Sequence, residues 1–331
     1  MFKNYFEFIQ IIKILSIKRL WNLILLYKSY LLSLILKKPF VWAYPFAITI
    51  EPTTMCNLFC EECPTGKKTL TRSTGKIELS LFENIIEQVY KKTFYLNLYL
   101  QGEPFIHPEI IEMIKYAVNK KMFVCISTNG HFLNSETCSE IVKSGIQKII
   151  VSLDGATEET YLKYRKGGDF TKIKNGIKEL SVCKNQLNSN TPEIVLQMLV
   201  NKYNENEILL VQKLKENIGA NKLELKTMQI YFDYNFLPNT IIFKRYIKDS
   251  DGKFVLNKKL RNHCYRIWSN AVFTFDGYII PCCFDKNAEQ KFGNINNETF
   301  NKLWRSNNFN KFRLSILKDR KKHEICRNCT E

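Results

Sequence analysis

From Phe46 onward, short runs of apolar residues alternate with longer segments in which apolar residues recur at helical spacing. The short runs are rich in β-branched residues or alternate with polar ones, which is typical of β-strands. They lie at Ala47–Glu51, Tyr95–Leu100, Met122–Thr128, Lys148–Leu153, Glu193–Val200 and Lys222–Met228. Six β/α units in succession predict an α/β fold with a parallel sheet, either curled into a barrel or open and doubly wound.

Capping and helix-breaking residues indicate where several helices begin and end. Ser80 with Glu83 forms a capping box before an apolar run, and Pro108 opens the next helical segment. Gly145 and Gly219 stand where two further helices should end, because glycine readily adopts the left-handed conformation found there. All four signals fall between the predicted strands, as a β/α chain requires.

Residues 1–38 are a basic segment with a helical pattern of apolar residues. Apolar spacing is helical over residues 5–15, and a second apolar run covers residues 20–36. That run is nearly long enough to cross a bilayer, but Lys28 lies in its middle. Seven basic residues stand against one acid, Glu7. Two interpretations stay open: an amphipathic helix at a membrane surface, and a helix packed on the protein's own core.

The pattern divides the chain into four segments, and the last is a small module rich in cysteine. In that module a hairpin is predicted around Asp276–Gly277, between Ala271–Phe275 and Tyr278–Ile280. So small a module buries little surface, so a metal crosslink would help it to fold. The segments are N-terminal helices over 1–45, a β/α core over 46–235, a connection over 236–262 and the module over 263–331.

Composition excludes some classes of protein without choosing among the rest. Hydrophobic residues make up 45% of the 331, which excludes a disordered or collagen-like chain. The formal net charge of +17 can attract phosphates, acidic lipids or acidic substrates. Lysines spread over solvated faces explain the same charge, so nucleic-acid binding is not expected.

Eleven cysteines carry the chemical information in this sequence. No secretory signal is evident, so reduced thiols in the cytoplasm are expected, and clustered thiols then indicate metal or redox chemistry. Cys125, Cys138 and Cys183 stand alone and are interpreted as small core residues. The other eight fall into two groups: Cys56, Cys60 and Cys63, then Cys264, Cys282, Cys283, Cys326 and Cys329.

The first group is a C-x3-C-x2-C run directly after the first predicted strand. Structural zinc is closed by four ligands, so three cysteines fit it poorly. Three thiolates instead suit a [4Fe–4S] cluster whose fourth iron is free to bind another molecule. The loop from Cys56 to Cys63 is therefore a candidate cluster site.

This run, at this place in a β/α chain, resembles the radical S-adenosylmethionine (SAM) superfamily. The resemblance covers about residues 46–231 and implies a partial (β/α)6 barrel of the TIM type, with SAM chelated to the open iron. It also implies that Gln101, Gly102 and Glu103, after the second strand, receive the SAM amino group. One departure concerns Glu62, because the family usually has an aromatic residue before the third cysteine.

Polar motifs also end the next strands, and parallel barrels bind ligands at this rim. By resemblance, Ser127 and Asn129 lie near the SAM ribose and carboxylate, and Ser152 with Arg165 holds the carboxylate. Gln197 or Val200 would approach the adenine in the same way.

The second group resembles the SPASM or twitch module of some radical SAM enzymes, which holds an auxiliary [4Fe–4S] cluster. Cys282 follows Gly277 at the module's G-x4-C spacing, which leaves Cys283 spare. Four cysteine ligands would leave no iron of the cluster open, which suits electron transfer. If this group of cysteines is considered without the first, a structural zinc site is the alternative. The implied ligands are Cys264, Cys282, Cys326 and Cys329.

The resemblance implies an enzyme that cleaves SAM to a 5′-deoxyadenosyl radical and takes hydrogen from its substrate. Oxidation of a sugar-like or other small molecule, with the auxiliary cluster as electron acceptor, is the expected reaction. Asp233, Tyr231 and His131 are candidate bases by position only. The alternatives are a peptide-modifying SPASM enzyme and, in another class, a zinc-stabilised basic RNA-binding protein.

The resemblance to the radical SAM superfamily also implies the expected partners. They are a small-molecule or peptide substrate and an electron donor such as flavodoxin or ferredoxin. A cytoplasmic location is expected, with contact of residues 1–38 to the inner membrane surface as a further expectation.

Overall fold

Ten strands form two sheets in the computed structural model, which describes residues 5–327 and 329–330. The strands are β1 Ala47–Ile50, β2 Tyr95–Asn97, β3 Phe123–Thr128, β4 Lys148–Ser152, β5 Glu193–Val200, β6 Lys222–Thr227, β7 Tyr246–Lys248, β8 Phe254–Leu256, β9 Asn270–Phe273 and β10 Ile279–Ile280. Eight of them form one sheet in the order β10-β9-β1-β2-β3-β4-β5-β6, and β7 pairs with β8.

Strands β1 to β6 are all parallel to their neighbours, as βαβ crossovers require. All six predicted strands are present, with ends that differ by up to three residues. The sheet ends at β6 on one side and at β10 on the other, so it forms the expected partial barrel rather than a closed one.

Helices connect the strands and cover the sheet. They are α1 Tyr5–Ile14, α2 Ile17–Leu36, α3 Leu79–Val89, α4 Ile110–Asn119, α5 Ser135–Lys143, α6 Glu158–Tyr164, α7 Phe170–Gln186, α8 Ile208–Asn217, α9 Arg266–Ser269, α10 Phe300–Trp304, α11 Asn307–Asp319 and α12 Glu324–Arg327. Gly145 and Gly219 follow α5 and α8 with φ of 75° each, which confirms their predicted role. The predicted capping box is wrong, because α3 begins at Leu79, one residue before Ser80, and has no side-chain cap.

The C-terminal module extends the main sheet and shares its core. The predicted hairpin forms as β9 and β10, and β9 pairs in parallel with β1, Ala47 opposite Asn270. Glu51, at the end of β1, binds Arg72 through both carboxylate oxygens at 2.5 and 2.6 Å and accepts the Phe275 N–H. Trp268 and the barrel residue Ile48 belong to one continuous apolar core. The module therefore gains much of its burial from the barrel rather than from a metal alone.

Both N-terminal helices pack against the protein. Ile11 of α1 is fully buried with Phe94 and Phe123, at the amino-terminal ends of β2 and β3. Tyr30 of α2 packs its ring against Trp268 of the C-terminal module. These helices thus run beneath the barrel, at the end opposite the rim that bears the polar motifs.

Candidate active site

The first three cysteines lie in a loop that the segment after α6 supports. Phe59 N–H donates to the Lys166 carbonyl, and Glu61 N–H donates to the Tyr164 carbonyl, at 3.0 and 3.3 Å. The pKa of the Cys56 thiol is raised to about 11, chiefly by burial and further by the neighbouring Glu103, Cys60 and Cys63. The Leu58 N–H donates to this thiol and acts in the opposite direction. The structure therefore brings the three predicted ligands together at the carboxyl end of β1.

Gly102 and Glu103 pack tightly against this loop. Gly102 has φ of +71°, and a Cβ there would lie 2.4 Å from the Thr53 carbonyl oxygen. The buried Glu103 carboxylate accepts the Thr128 hydroxyl and the Asn129 N–H, each at 2.7 Å. Burial raises the pKa of Glu103 to about 7, although these hydrogen bonds act in the opposite direction. Its carboxylate thus ties β2 to β3.

Asn129 links the third strand to the cysteine loop. Its Nδ2 donates to Asn57 Oδ1 at 2.8 Å and lies 3.9 Å from Cys56 Sγ. Its Oδ1 accepts from His131, whose Nε2 accepts the Asp169 N–H at 2.8 Å. Both ring nitrogens of His131 are engaged in these hydrogen bonds, so in this structure His131 positions Asn129.

Arg165 faces the same loop from the fourth β/α unit. Its Nε donates to Asp154 Oδ2 at 2.5 Å, and its Nη1 lies 3.6 Å from Cys60 Sγ. Burial alone would lower the pKa of Arg165, but Asp154 holds it well above the ordinary value. Asp154, which also accepts the Leu199 N–H, is a site residue that sequence reasoning missed.

Two predicted hydroxyl groups stand at the ends of their strands. Ser127 and Ser152 are half-buried between buried neighbours, and no protein partner of either hydroxyl is found among the described residues. Gln101 is buried, with its Oε1 accepting the Thr65 hydroxyl. The predicted polar rim is therefore assembled from four successive strands.

Glu62 does not take the place of the aromatic residue that the family usually has. Its carboxylate accepts the backbone N–H groups of Tyr231, Phe232 and Asp233 at 2.6, 2.9 and 2.8 Å. These three residues follow β6. Glu62 thus fastens the cysteine loop to the segment that continues from the last strand of the barrel.

The second predicted set of cysteines is also gathered in one place. Cys264, Cys282, Cys326 and Cys329 are each at most 8% exposed. Burial raises the pKa of Cys282 well above its ordinary value, with Cys283, Cys264 and Cys326 adding to the effect. These sulfurs therefore form one buried group.

Two arginines lie beside thiols of the C-terminal module, and each contacts a different cysteine. Arg320 is buried, and its Nη2 lies 3.0 Å from Cys329 Sγ. Cys283 is less buried and lies 3.2 Å from Arg266 Nη1. Arg320 was missed because it stands in a basic run that looks like a solvated surface.

A cavity of about 1010 Å³ lies between the segment after β6, the β7–β8 pair and residues 321–327, and none of the predicted cluster or SAM ligands is among its lining residues. It is lined by apolar and aromatic residues and by five charged ones, four basic side chains and the acid Glu324. Two of its lining residues, Ile230 and Tyr246, pack in the same cluster as Cys60. Other lining residues are Tyr231, Tyr234, Phe254, Lys258, Lys259 and Arg327.

The donors of both groups fit iron–sulfur clusters. Thiolates are the usual cluster ligands, and hydrogen bonds and charges around the sulfurs tune the potential. Within the ranges that the structure describes, no three His, Cys, Asp or Glu side chains are close enough to share one metal ion. A four-iron cluster spaces its thiolates more widely than zinc does with Zn–S bonds of about 2.3 Å. The absence of a three-residue group for a single metal ion among the described residues therefore does not argue against a four-iron cluster at either group of cysteines.

Two family models match the chain. The radical SAM superfamily model matches residues 50–209, and the SPASM model, an iron-sulfur cluster-binding domain, matches residues 264–330. The second match covers all four buried cysteines of the C-terminal module.

Curated relatives have diverse activities. The AdoMet-dependent heme synthase of Methanosarcina barkeri is 29% identical over 53% of this chain, which spans only 48% of that protein. The cysteine-type anaerobic sulfatase-maturating enzyme of Clostridium novyi is 27% identical over 86% of this chain and 84% of its own length. The S-adenosyl-L-methionine-dependent 2-deoxy-scyllo-inosamine dehydrogenase of Niallia circulans is 23% identical over 85% of this chain and 91% of its own.

A solved structure has the same fold. Streptococcus suis SuiB bound to S-adenosylmethionine aligns with a TM-score of 0.64 at 14% identity, covering 82% of this chain and 68% of SuiB.

Proposed function

Since the chain belongs to the radical SAM superfamily and carries a C-terminal SPASM module, we propose that it oxidises a carbon of its substrate. When bound, the first cluster and SAM supply the 5′-deoxyadenosyl radical, and the auxiliary cluster supplies an electron acceptor. The substrate loses a C–H hydrogen atom, then a proton and an electron, and gains a C=O or C=N bond. SAM becomes methionine and 5′-deoxyadenosine, and the electron spent on SAM is recovered from the substrate.

The buried set of four cysteines carries this proposal. Four thiols satisfy a cluster completely and leave no iron for direct contact with a substrate. Their burial favours electron transfer over some distance rather than chelation. Arg320 adds a positive charge beside Cys329, which favours the reduced form of a cluster held there.

At the first site, we assign roles residue by residue. Cys56, Cys60 and Cys63 would hold the cluster. Gln101, Gly102 and Glu103 would receive the SAM amino group, with Gly102 permitting close approach of the backbone. Ser152 and Arg165 would hold the carboxylate, and Asp154 orients that guanidinium. Ser127 and Asn129 would lie near the ribose.

The cavity beside the β7–β8 pair is the proposed substrate site. Its lining has four basic side chains against one acid, Glu324, which pairs with Arg327 at 2.7 Å, so the three lysines favour a substrate with an acidic group. Tyr231 is the candidate base that remains in its wall, and its hydroxyl now donates to Gln229 at 2.8 Å. Burial raises the pKa of Tyr231, so its hydroxyl is protonated at neutral pH and could take a substrate proton only while passing its own proton to water.

A peptide substrate is the second candidate. The cavity, about 1010 Å³, is at the upper end of the volumes usual for small ligands. The Clostridium novyi relative, which matures sulfatases, matches this chain over most of its length. An electron donor such as flavodoxin or ferredoxin and a cytoplasmic location are proposed for either substrate.

The first experiment is an iron and SAM-cleavage measurement on anaerobically purified full-length protein. We expect about eight irons per chain, and about four when Cys56, Cys60 and Cys63 are all replaced by alanine. The double variant Cys326→Ala and Cys329→Ala should also retain about four irons. It should still form 5′-deoxyadenosine with dithionite and SAM, whereas the triple variant should form none.

Substrate oxidation is then tested with small-molecule and peptide fractions of the host, added separately. The active fraction should stimulate 5′-deoxyadenosine formation and contain a molecule that loses two mass units. The double variant should form 5′-deoxyadenosine without that oxidised product. Equal yields of oxidised product from both proteins would overturn the proposed role of the auxiliary site.

A further inference from the structure

Helix α2 turns its polar side towards the protein and its apolar side outwards. A surface helix of a globular protein ordinarily has the opposite arrangement. Among its buried residues are four polar ones, Arg19, Asn22, Ser29 and Ser33. Its exposed large apolar residues are Ile17, Leu20, Trp21, Ile24, Tyr27, Leu31, Ile35 and Leu36.

Hydrogen bonds hold the helix in this orientation. The Arg19 guanidinium donates to the carbonyl oxygens of Tyr90 and Lys121 at 2.7 and 2.5 Å. Asn22 makes two bonds of 2.9 Å with the backbone of Tyr44, one through each side-chain polar atom. If α2 rolled its apolar side inwards, these buried polar groups would lose their partners, which is costly.

The outward side combines aromatic, aliphatic and basic residues, as interfacial helices do. Trp21 and Tyr27 are each more than half exposed. Lys18 and Lys28 are exposed on the same helix, and two more exposed lysines follow it directly. We call the exposed apolar residues of α2 together with Lys18, Lys28, Lys37 and Lys38 the N-terminal face.

We propose that the N-terminal face docks in the plane of an anionic lipid bilayer. The lysines complement phosphate headgroups, and the apolar side chains enter the boundary of the acyl chains. By length and composition alone α2 could cross a membrane. Spanning would, however, take Arg19 and Asn22 away from their carbonyl partners. A second copy of the chain is disfavoured, because a two-fold contact would bring equal sets of lysines together.

Vesicle flotation of the full-length protein tests this proposal without any need for enzyme activity. We expect the protein to float with vesicles of 70% phosphatidylcholine and 30% phosphatidylglycerol, and much less with phosphatidylcholine alone. The triple variant Trp21→Gln, Tyr27→Gln and Ile35→Gln should lose at least tenfold in partitioning. A matched control replaces three apolar residues that are each at least half exposed elsewhere, Leu209, Leu210 and Ile242, by glutamine and should float like the wild type.

Tryptophan fluorescence supplies a second readout that does not depend on the variants folding alike. Trp21 is 58% exposed and Trp42 is 48% exposed, whereas Trp268 and Trp304 are buried in the core. The measurement is therefore made with Trp42→Phe, in which Trp21 is the one exposed tryptophan of the described residues, and brominated lipids should quench its emission and leave that of the core. Absence of quenching, or equal flotation of the triple variant and the wild type, would overturn the proposal. So would a wild-type dimer that the triple variant converts to monomer, since the face would then be an interface between copies.

Discussion

Replacing Glu62 by alanine should release the segment 231–233 from the cysteine loop. Three backbone N–H groups lose their shared carboxylate acceptor in that variant. Hydrogen bonds to a charged group are each worth about 1.5–3 kcal/mol. Phe232 and Asp233 are exposed, so water can replace part of each bond. We therefore expect a net loss of about 1 kcal/mol for each bond, or about 3 kcal/mol for local opening.

Hydrogen–deuterium exchange measures this opening directly. Since every 1.4 kcal/mol is tenfold, the amides of 231–233 should exchange about 100-fold faster in Glu62→Ala. Glu62→Gln should be intermediate, because an amide offers one acceptor oxygen and turns an N–H group towards the other donors. The iron content should stay at the wild-type value in both variants, since no ligand is removed.

Glu205 provides a matched control for this prediction. It accepts the N–H groups of Asn239 and Thr240 at 2.9 and 2.8 Å, a similar arrangement further along the chain. Glu205→Ala should accelerate exchange at 239–240 and leave 231–233 as in the wild type. If Glu62→Ala changes exchange at 231–233 by less than twofold, the three bonds do not hold the segment and the reasoning is refuted.

Three further predictions concern single residues of the two sites. Gly102→Ala should lower the free energy of unfolding, measured in urea, by more than 2 kcal/mol, because the added Cβ meets a backbone carbonyl. The control Gly252→Ala has a similar φ but open space around the added Cβ, and it should cost about 1 kcal/mol. Burial raises the pKa of Glu103 to about 7, so the folded wild type holds a proton that the unfolded chain releases near pH 4.3. Its stability relative to Glu103→Gln should then fall by about 2.5 kcal/mol between pH 5 and pH 8 in urea unfolding of cluster-free protein, and a constant difference would contradict this. Arg320→Gln should make the reduction potential of the auxiliary cluster more negative in an EPR titration, whereas Lys322→Gln, an exposed neutralisation, should leave it unchanged.

The strands could be predicted because burial on both faces leaves an apolar signature in the sequence itself. Lys148–Leu153 was expected and Lys148–Ser152 is observed, a difference of one residue at a strand end. The hairpin around Gly277 could also be predicted, since turn chemistry is local. Its pairing with β1 could not, because Ala47 and Asn270 are far apart in the chain and no periodicity encodes their register.

The cysteine ligands were accessible from the sequence because their spacing is itself the signal. The residues around them were less so. Glu62 acts on an amide 169 positions away, and its neighbours in sequence carry no trace of that contact. His131 follows a strand end and is a candidate base by position only, whereas in the structure the Asp169 N–H and Asn129 engage both of its nitrogens.

Helix α2 illustrates a limit of hydrophobic periodicity that has a physical cause. Apolar spacing identifies the residues that share one side of a helix, but it does not say whether that side meets protein or lipid. The deciding information lies on the polar side. Arg19 donates to carbonyl groups just beyond the ends of α3 and α4, at Tyr90 and Lys121, and Asn22 pairs with the backbone of Tyr44 in the segment before β1. A polar side with such partners can be buried at low cost, and the apolar side then has only the solvent boundary left to occupy.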